Sequence, residues 1–362
     1  MSAANGTNEL LVSVEGGAGR LRLNRPRALH ALTRDMCLAI TQALLAWRDD
    51  PAVRLVLLDH APSADGDPKL SRGFCAGGDV RALWESARVD GVAARDFFRD
   101  EYQTNHLLFT FAKPIVAFMH GITMGGGVGI SQPAKYRVVT ERTVFAMPET
   151  GIGLFPDVGG GWYLSRLPGR MGEFVALTGA RLDGADCVAL GLATHFIPSA
   201  DLDAVKARLI AAPDEVEAIL AAATTAPPPS AILTRQAEID RLFAADRYED
   251  ILDALEADGG EWATAQRAVL AEKSPMACKV SLRLVRQGRD HRDFAEEMRV
   301  EYRLACHIVQ RHDFVEGVRA LLVDKDNAPQ WDPPAPGRVS DHLIDTIFSP
   351  LAEADEWRPL SA

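Results

Sequence analysis

The sequence predicts an α/β fold in which pairs of short strands alternate with helices, followed by a mainly helical C-terminal region. Short apolar runs, VRLVLLD at 53–59 and PIVAFM at 114–119, indicate strands buried on both faces. Hydrophobic residues at helical spacing separate these runs. From Gly172 onward the pattern is helical. Repeated strand–strand–helix units of this kind predict a layered α/β domain.

The first elements are a hairpin and a helix. Leu10–Glu15 and Gly19–Leu23 lie on either side of a glycine pair and predict two antiparallel strands. Thr33 is a suitable N-cap for a helix that continues to about Asp49, with one apolar stripe along it. After the buried strand at 53–59, the polar residues 60–72 contain two prolines and predict a loop.

Two helices and further strands follow. Asp79 marks the start of one helix, and a second is predicted from Asp96 to Phe111. Beyond the strand at 114–119, Val138-Val139 and Val144-Phe145 indicate two more short strands.

Proline clusters at 227–229 and 333–334 mark breaks in the helical region. We therefore expect a catalytic core at 10–200 and a mainly helical region at 201–362 that completes the fold and covers the site.

Composition excludes several classes of function. With 47% hydrophobic and 25% charged residues, the chain has the profile of a soluble globular protein. A net charge of −11 argues against nucleic-acid or membrane-surface binding. No apolar run reaches the ~18 residues of a transmembrane helix, and the start MSAANGTNEL does not resemble a secretory leader. Five scattered cysteines predict free thiols in a reducing, cytoplasmic setting.

Glycine-rich loops surround two carboxylates. The clusters Gly125–Gly127 and Gly159–Gly161 bracket Glu149 and Asp157, and a third glycine loop lies upstream at 72–79. Glycine lets backbone N–H groups approach a ligand closely. Two such loops can direct main-chain donors at one carbonyl oxygen, while the carboxylates supply acid–base or nucleophilic chemistry. The pattern predicts an acyl-transfer or enolate site.

Three motifs carry a family likeness: LNRPRALH at 23–30, FCAGGD at 74–79, and His120-Gly121 leading to the first glycine cluster. With these motifs the chain resembles the enoyl-CoA hydratase/isomerase (crotonase) superfamily over residues 10–200. The resemblance implies a crotonase-like spiral of ββα units that binds an acyl-CoA. It also implies that the thioester oxygen lies between the backbone N–H groups of Ala76 and Gly126, each worth roughly 3–4 kcal/mol to an oxyanion.

Within the superfamily, a closer likeness is to the subfamily that hydrolyses 3-hydroxyisobutyryl-CoA. The segments that carry it are 145–161, 177–196, 274–275, 301–304 and 312–326. The resemblance implies hydrolysis of a short 3-hydroxyacyl-CoA thioester, in valine catabolism. Coenzyme A is then part of the substrate, and we expect no separate cofactor and no metal. A monomer and a homo-oligomer both remain open.

Each carboxylate has a functional and a structural interpretation. Glu149 matches the superfamily's acid–base glutamate; Pro148 forces an extended approach to it, and Gly151 permits a sharp exit. Asp157 matches the hydrolase pattern, although it could simply cap a turn. Glu101 resembles a substrate-contacting glutamate, with an exposed helix residue paired to arginine as the alternative.

The remaining candidates are substrate-binding. Gly78 and Asp79 belong to the FCAGGD loop, and Asp79 is also a natural helix cap. Arg25 and Arg27 are candidates for the CoA phosphates and equally for ordinary surface charges.

Gly129 departs from the hydratase pattern. Enoyl-CoA hydratases have a second catalytic glutamate at this position, and glycine cannot replace it. The sequence therefore favours thioester hydrolysis. The alternatives are a lyase or isomerase that uses Glu149 alone, and a non-catalytic acyl-CoA-binding protein.

Overall fold

The computed structural model describes residues 8–62 and 72–360. The start of the chain and most of the predicted loop at 60–72 lie outside these ranges. The strands are β1 (Leu10–Glu15), β2 (Ala18–Leu23), β3 (Leu55–His60), β4 (Gly73–Cys75), β5 (Ile115–Met119), β6 (Ile122–Met124), β7 (Tyr136–Val139), β8 (Val144–Ala146), β9 (Leu182–Asp183) and β10 (His195–Phe196).

Helices make up most of the remaining structure. They are α1 (Arg34–Arg48), α2 (Val80–Ala87), α3 (Val92–Thr110), α4 (Gly126–Ser131), α5 (Gly160–Ser165), α6 (Met171–Thr178), α7 (Gly184–Ala189), α8 (Leu202–Ala211), α9 (Val216–Ala223), α10 (Gln236–Leu242), α11 (Tyr248–Asp258), α12 (Glu261–Ala271), α13 (Pro275–Gly288), α14 (Phe294–Ile308), α15 (His312–Val318) and α16 (Asp341–Phe348). None of the described helices is long and apolar enough to cross a membrane.

The strands form two separate sheets. One has the order β1-β2-β3-β5-β7-β10 and the other β4-β6-β8-β9. The chain repeatedly adds a strand to the first sheet and then one to the second, as β3 and β4, β5 and β6, and β7 and β8. Most neighbours are parallel, and the pairs β1–β2 and β8–β9 are antiparallel. This arrangement confirms the expected spiral of ββα units.

Strand β3 of the larger sheet is buried on both faces, as the apolar run at 53–59 predicts. In β3, Val56 and Leu58 belong to the main hydrophobic core, while Leu55 and Leu57 belong to a second core on the opposite face. Helices α8 and α9 close that second core, contributing Val205, Leu209, Ile219 and Leu220. Each fully buried side chain of this kind contributes on the order of 1.5–3 kcal/mol.

The predicted elements are present, although several of their boundaries differ from the structure. The Thr33 side chain caps α1 by accepting the Met36 N–H. Helix α3 begins at Val92 rather than Asp96, after Gly91 in a left-handed conformation. The expectation of purely helical structure from Gly172 onward is wrong for β9 and β10. Their two-residue length gives no readable period, because pairing with β8 and β7 defines them.

C-terminal helices pack directly on the first part of the chain. Helix α13 packs on α5 and α6, and α14 packs on α3. The main hydrophobic core contains residues from both sides of position 200, among them Phe74 and Phe314. A division into 10–200 and 201–362 stays a prediction.

Candidate active site

Three neighbouring strands end at the same edge of the smaller sheet. Strand β6 lies between β4 and β8 and is parallel to both. The segments that leave their carboxyl ends therefore meet: the loop at 76–78, the glycine cluster at 125–127, and Glu149. They line a cavity of about 220 Å³, together with Val80, Leu83, Phe97, Phe98, Glu101, Met124, Pro148, Ile152, Leu154, Asp157, Leu321 and Leu322.

Gly126 offers an amide to this cavity. It is the first residue of α4, so its N–H has no partner within the helix. The helix dipole adds partial positive charge at the same point. Gly125 before it has φ +47°, a conformation that disfavours residues with a side chain. A Cβ on Gly126 would lie 2.6 Å from Glu101 Oε1, so this position has room only for hydrogen.

Ala76 is not the second donor. Its amide already donates to the Leu29 carbonyl at 3.0 Å, so it cannot bind a ligand oxygen as the sequence comparison implied. The physical reason is the segment at 26–30, whose turn brings the Leu29 carbonyl against the start of the loop. This contact joins residues far apart in sequence.

Gly78 has the free amide instead. Leu32 donates to the Gly77 carbonyl and accepts from the Asp79 amide, both at 2.8 Å, so the Gly78 N–H faces away from Leu32. Within the described residues no acceptor is recorded for it. A Cβ on Gly126 would lie 3.2 Å from the Gly77 carbonyl carbon, to which the Gly78 nitrogen is bonded. The Gly78 and Gly126 peptides are therefore neighbours.

Glu149 begins a short 3-10 turn, Glu149–Ile152, directly after β8. The sharp exit predicted at Gly151 occurs at Gly153, where φ is +71°. Close packing explains its need for glycine, because a Cβ on Gly153 would lie 2.3 Å from the Asp313 carbonyl.

Thr150 anchors this turn on two sides. Its carbonyl accepts the Ser274 N–H at 3.1 Å, and its hydroxyl donates to the Leu177 carbonyl at 3.1 Å. The Ser274 hydroxyl in turn donates to Asp313. The C-terminal region thereby fixes the position of Glu149.

Glu149, Asp157 and Glu101 are all buried within one cavity wall. Burial, and then the charge of Asp157, holds the pKa of Glu149 well above its usual range. Burial raises the pKa of Asp157 to about 6, although a hydrogen bond from Tyr102 opposes the change. Burial, Asp157 and Glu149 together hold the pKa of Glu101 well above its usual range. Several buried carboxyl groups with raised pKa values in one cavity wall are typical of a catalytic site.

Two oxygen atoms in the cluster lack partners. Glu101 Oε1 and Glu149 Oε2 are buried and have no hydrogen bond within the described part of the chain. Buried polar atoms are normally bonded, so unpaired ones in a cavity wall indicate positions for a ligand.

Gly129 has no space for a side chain. A Cβ there would lie 2.4 Å from Val158 Cβ and 2.9 Å from the Asn105 side-chain nitrogen. The position that carries a second glutamate in hydratases is filled here by Val158 and Asn105.

Arg25, Arg27 and Asp79 do not line the cavity. The Arg25 guanidinium pairs with Asp79 at 2.9 Å and with Glu9 at 3.0 Å. Asp79 caps α2 by accepting the Ala82 N–H. Arg27 is exposed, and its contact with CoA phosphates stays a prediction. Among the described residues, no group of His, Cys, Asp and Glu could hold a metal ion.

Sequence reasoning missed Tyr102 and the role of Glu301. Tyr102 donates to Asp157, and Glu301 accepts the amides of Gly159 and Gly161 at 2.7 and 3.2 Å. Tyr102 follows the candidate Glu101, and Glu301 lies in the recognised segment 301–304, but only the folded structure brings both to Asp157.

Comparisons with known proteins support the fold and the family. The model of the family described as enoyl-CoA hydratase/isomerase matches residues 18–348. Proteins named 3-hydroxyisobutyryl-CoA hydrolase, mitochondrial, are 40% identical in Danio rerio (98% of this chain, 93% of the relative) and in Gallus gallus (96% and 90%). A structure described as a carnitinyl-CoA dehydratase from Mycobacterium thermoresistibile superposes with a TM-score of 0.90 at 41% identity, covering 96% of this chain and 98% of the other.

The expected cytoplasmic location is wrong by this comparison, because these hydrolase relatives are named as mitochondrial. Free cysteines distinguish a reducing from an oxidising compartment and cannot separate one reducing compartment from another.

Proposed function

The chain belongs to the enoyl-CoA hydratase/isomerase family, and from this premise we propose that it hydrolyses a short 3-hydroxyacyl-CoA thioester. The preferred substrate is 3-hydroxyisobutyryl-CoA, and the products are 3-hydroxyisobutyrate and CoA, a step of valine catabolism. Relatives that carry this name support the substrate.

The lack of space for a side chain at Gly129 is the observation that favours hydrolysis over hydration. Adding water across a double bond calls for two carboxylates on opposite loops to hold and shuttle one water. Here Val158 occupies the place of the second, 2.4 Å from where its Cβ would be. Hydrolysis has no such requirement, because one nucleophile or base and a stabilised oxyanion are sufficient.

Gly78 and Gly126 form the proposed oxyanion hole. Their amides are neighbours at the N-terminal end of α4, where developing negative charge is favoured. Since the backbone fixes these dipoles before the reaction, each contributes roughly 3–4 kcal/mol to the tetrahedral oxyanion.

Glu149 is the proposed agent of bond cleavage. Its raised pKa makes the carboxylate a stronger base and nucleophile than an ordinary glutamate. In one route its oxygen bonds to the thioester carbon, the C–S bond breaks, and water then hydrolyses the acyl-enzyme anhydride. In the other, Glu149 takes a proton from water, which attacks the same carbon. In both routes the thiolate leaves readily, because a thiol has a pKa of about 8.5.

Asp157 and Glu101 complete the site. Asp157 orients the attacking water or the substrate hydroxyl. The raised pKa of Glu101 favours its protonated carboxyl group, which can donate a hydrogen bond to the 3-hydroxyl.

A thiol-release assay with matched substrates tests the proposal. 3-Hydroxyisobutyryl-CoA and isobutyryl-CoA differ only in the hydroxyl. A site that hydrogen-bonds this hydroxyl should discriminate against its loss by at least ~10²-fold in kcat/KM, since its polar groups are left unpaired. Equal rates would contradict the substrate assignment. Binding of both esters without thiol release would favour a non-catalytic acyl-CoA-binding protein.

A further inference from the structure

The Tyr102 hydroxyl lies behind the cavity wall and donates a hydrogen bond to Asp157 Oδ2 at 2.8 Å. Tyr102 is completely buried. Its ring packs against Phe98 and Tyr302, with centroid distances of 5.9 and 6.4 Å. Packing therefore fixes the direction of the donor before any ligand binds.

The Asp157 carboxylate accepts hydrogen bonds from the Tyr102 hydroxyl, at Oδ2, and from its own backbone amide. Among the described residues, Tyr102 is the side chain that donates to this carboxylate. The backbone after Asp157 is also constrained: Val158 has φ +55°, which is rare for a β-branched residue. Glu301 holds the next turn through the Gly159 and Gly161 amides. Strain maintained by its surroundings is typical of functional sites.

We propose that Tyr102 is a positioning residue that keeps Asp157 ionised and turns Oδ1 toward the cavity. This inference rests on the proposed hydrolase function. Tyr102 acts through Asp157 and does not itself line the cavity. Oδ1 is then available to orient the attacking water or the substrate hydroxyl.

The charged groups around Asp157 and Tyr102 explain why the Tyr102 hydrogen bond affects the pKa of Asp157. The titratable groups that face Asp157 and Tyr102 are Glu101 from α3, Glu149 from its 3-10 turn, and Glu301 from α14. Each of these is acidic, and within the described residues none forms an ion pair. The Tyr102 hydrogen bond therefore opposes burial in setting the pKa of Asp157. Burial holds the pKa of Tyr102 itself well above its usual range, so the hydroxyl keeps its proton.

Tyr102→Phe removes the hydroxyl and keeps the ring. We expect thiol release to fall by on the order of 10-fold, and the acid limb of the pH–rate profile to move to higher pH. Tyr248→Phe is the matched control, because its buried hydroxyl contacts the Leu270 carbonyl, at 3.5 Å, and the Cys278 thiol, neither of which lines the cavity. It should leave the profile unchanged. In an Asp157→Asn background, Tyr102→Phe should cause no further loss, since residues that act as a unit are not additive.

A second variant covers the case in which Tyr102→Phe does not fold. 2,3-Difluorotyrosine at position 102 has nearly the same shape and is a stronger donor, so the acid limb should move to lower pH, opposite to Tyr102→Phe. A wild-type enzyme that releases no thiol would defeat the proposed function and this inference together. An active wild type whose profile neither variant shifts would overturn the Tyr102 assignment alone.

Discussion

Glu149 derives its proposed reactivity from its surroundings. One of its oxygens is buried and has no hydrogen bond to any residue that the structure describes, and burial combined with the Asp157 charge raises its pKa. The same residue in an exposed turn would be an ordinary, weakly basic carboxylate. The turn that places it depends on Thr150, whose hydrogen bonds reach Ser274 and Leu177.

Glu149→Gln tests this role. The amide keeps the size of the side chain but cannot attack or accept a proton, so kcat should fall by on the order of 10²–10⁴. Binding of the CoA ester, measured by calorimetry, should be unchanged, because Glu149 does not contact the CoA moiety in the proposed mechanism. Glu272→Gln, at an exposed position, is the control. Near-wild-type kcat in Glu149→Gln would remove Glu149 from the mechanism.

Asp157→Asn should move the acid limb of kcat/KM. A raised pKa means that Glu149 stays protonated and inactive to higher pH than the ordinary value of about 4.3, so wild-type activity appears only as pH rises well above it. Asp157 contributes to this limb in two ways, because it must itself ionise and its charge raises the pKa of Glu149. Its removal should shift the limb to lower pH, while the maximal rate also falls. A limb that stays in place would show that the two carboxyl groups are not coupled.

At the scale of elements, the segments that follow β4, β6 and β8 line the cavity, and residues of the C-terminal region complete its wall. After α15 a π-helical turn, Arg319–Val323, places Leu321 and Leu322 in the cavity wall. Arg319 holds this turn through ion pairs with Glu316, Asp324 and Asp326 at 2.6–2.8 Å.

Leu321→Ala should therefore change the choice of acyl group. Leu321 Cδ2 would lie 3.8 Å from a Cβ at Gly151, beside the Glu149 turn. Removing its side chain should shift the kcat/KM ratio toward acyl groups one or two methylenes longer by about 10-fold, the usual worth of a methylene in an apolar pocket. Leu233→Ala, a truncation of an exposed leucine, is the control. If the ratio stays constant across a series of linear 3-hydroxyacyl-CoA esters, Leu321 does not limit acyl size.

For the whole molecule, the active site carries a cost in stability that depends on pH. The pKa of Asp157 is about 6 in the folded protein and ordinary when unfolded, so the stability it contributes is present at low pH and lost as pH rises through about 6. Two pKa units correspond to about 3 kcal/mol.

Asp157→Asn removes this titration. The variant's Tm minus that of the wild type should therefore increase from acidic to neutral pH, whatever its sign at the acidic end. Scanning calorimetry at matched pH values measures the difference, in which effects common to both proteins cancel. A difference that does not change with pH would contradict the assignment of the raised pKa to Asp157.

The sequence predicted what local patterns and motif spacing determine. The apolar patterns predicted the hairpin, α1 and β3, and the motifs identified Gly126, Glu149, Asp157 and Glu101, which line one cavity. What it missed depends on contacts between distant segments. The Leu29 carbonyl accepts the Ala76 N–H, so Gly78 and not Ala76 is the proposed second donor of the oxyanion hole. Asp79 forms an ion pair with Arg25. Neither contact leaves a sign in a local pattern.

The most direct test of the hydrolase assignment is the fate of one saturated substrate. Wild-type protein is incubated with 3-hydroxyisobutyryl-CoA, and free thiol and the unsaturated ester, methacrylyl-CoA, are measured in the same sample by mass spectrometry. Because Gly129 has no space for a second carboxylate, we expect one CoA and one 3-hydroxyisobutyrate for each substrate consumed, with no methacrylyl-CoA above the uncatalysed level. Methacrylyl-CoA as the main product, with the thioester intact, would contradict the hydrolase assignment and identify a dehydratase.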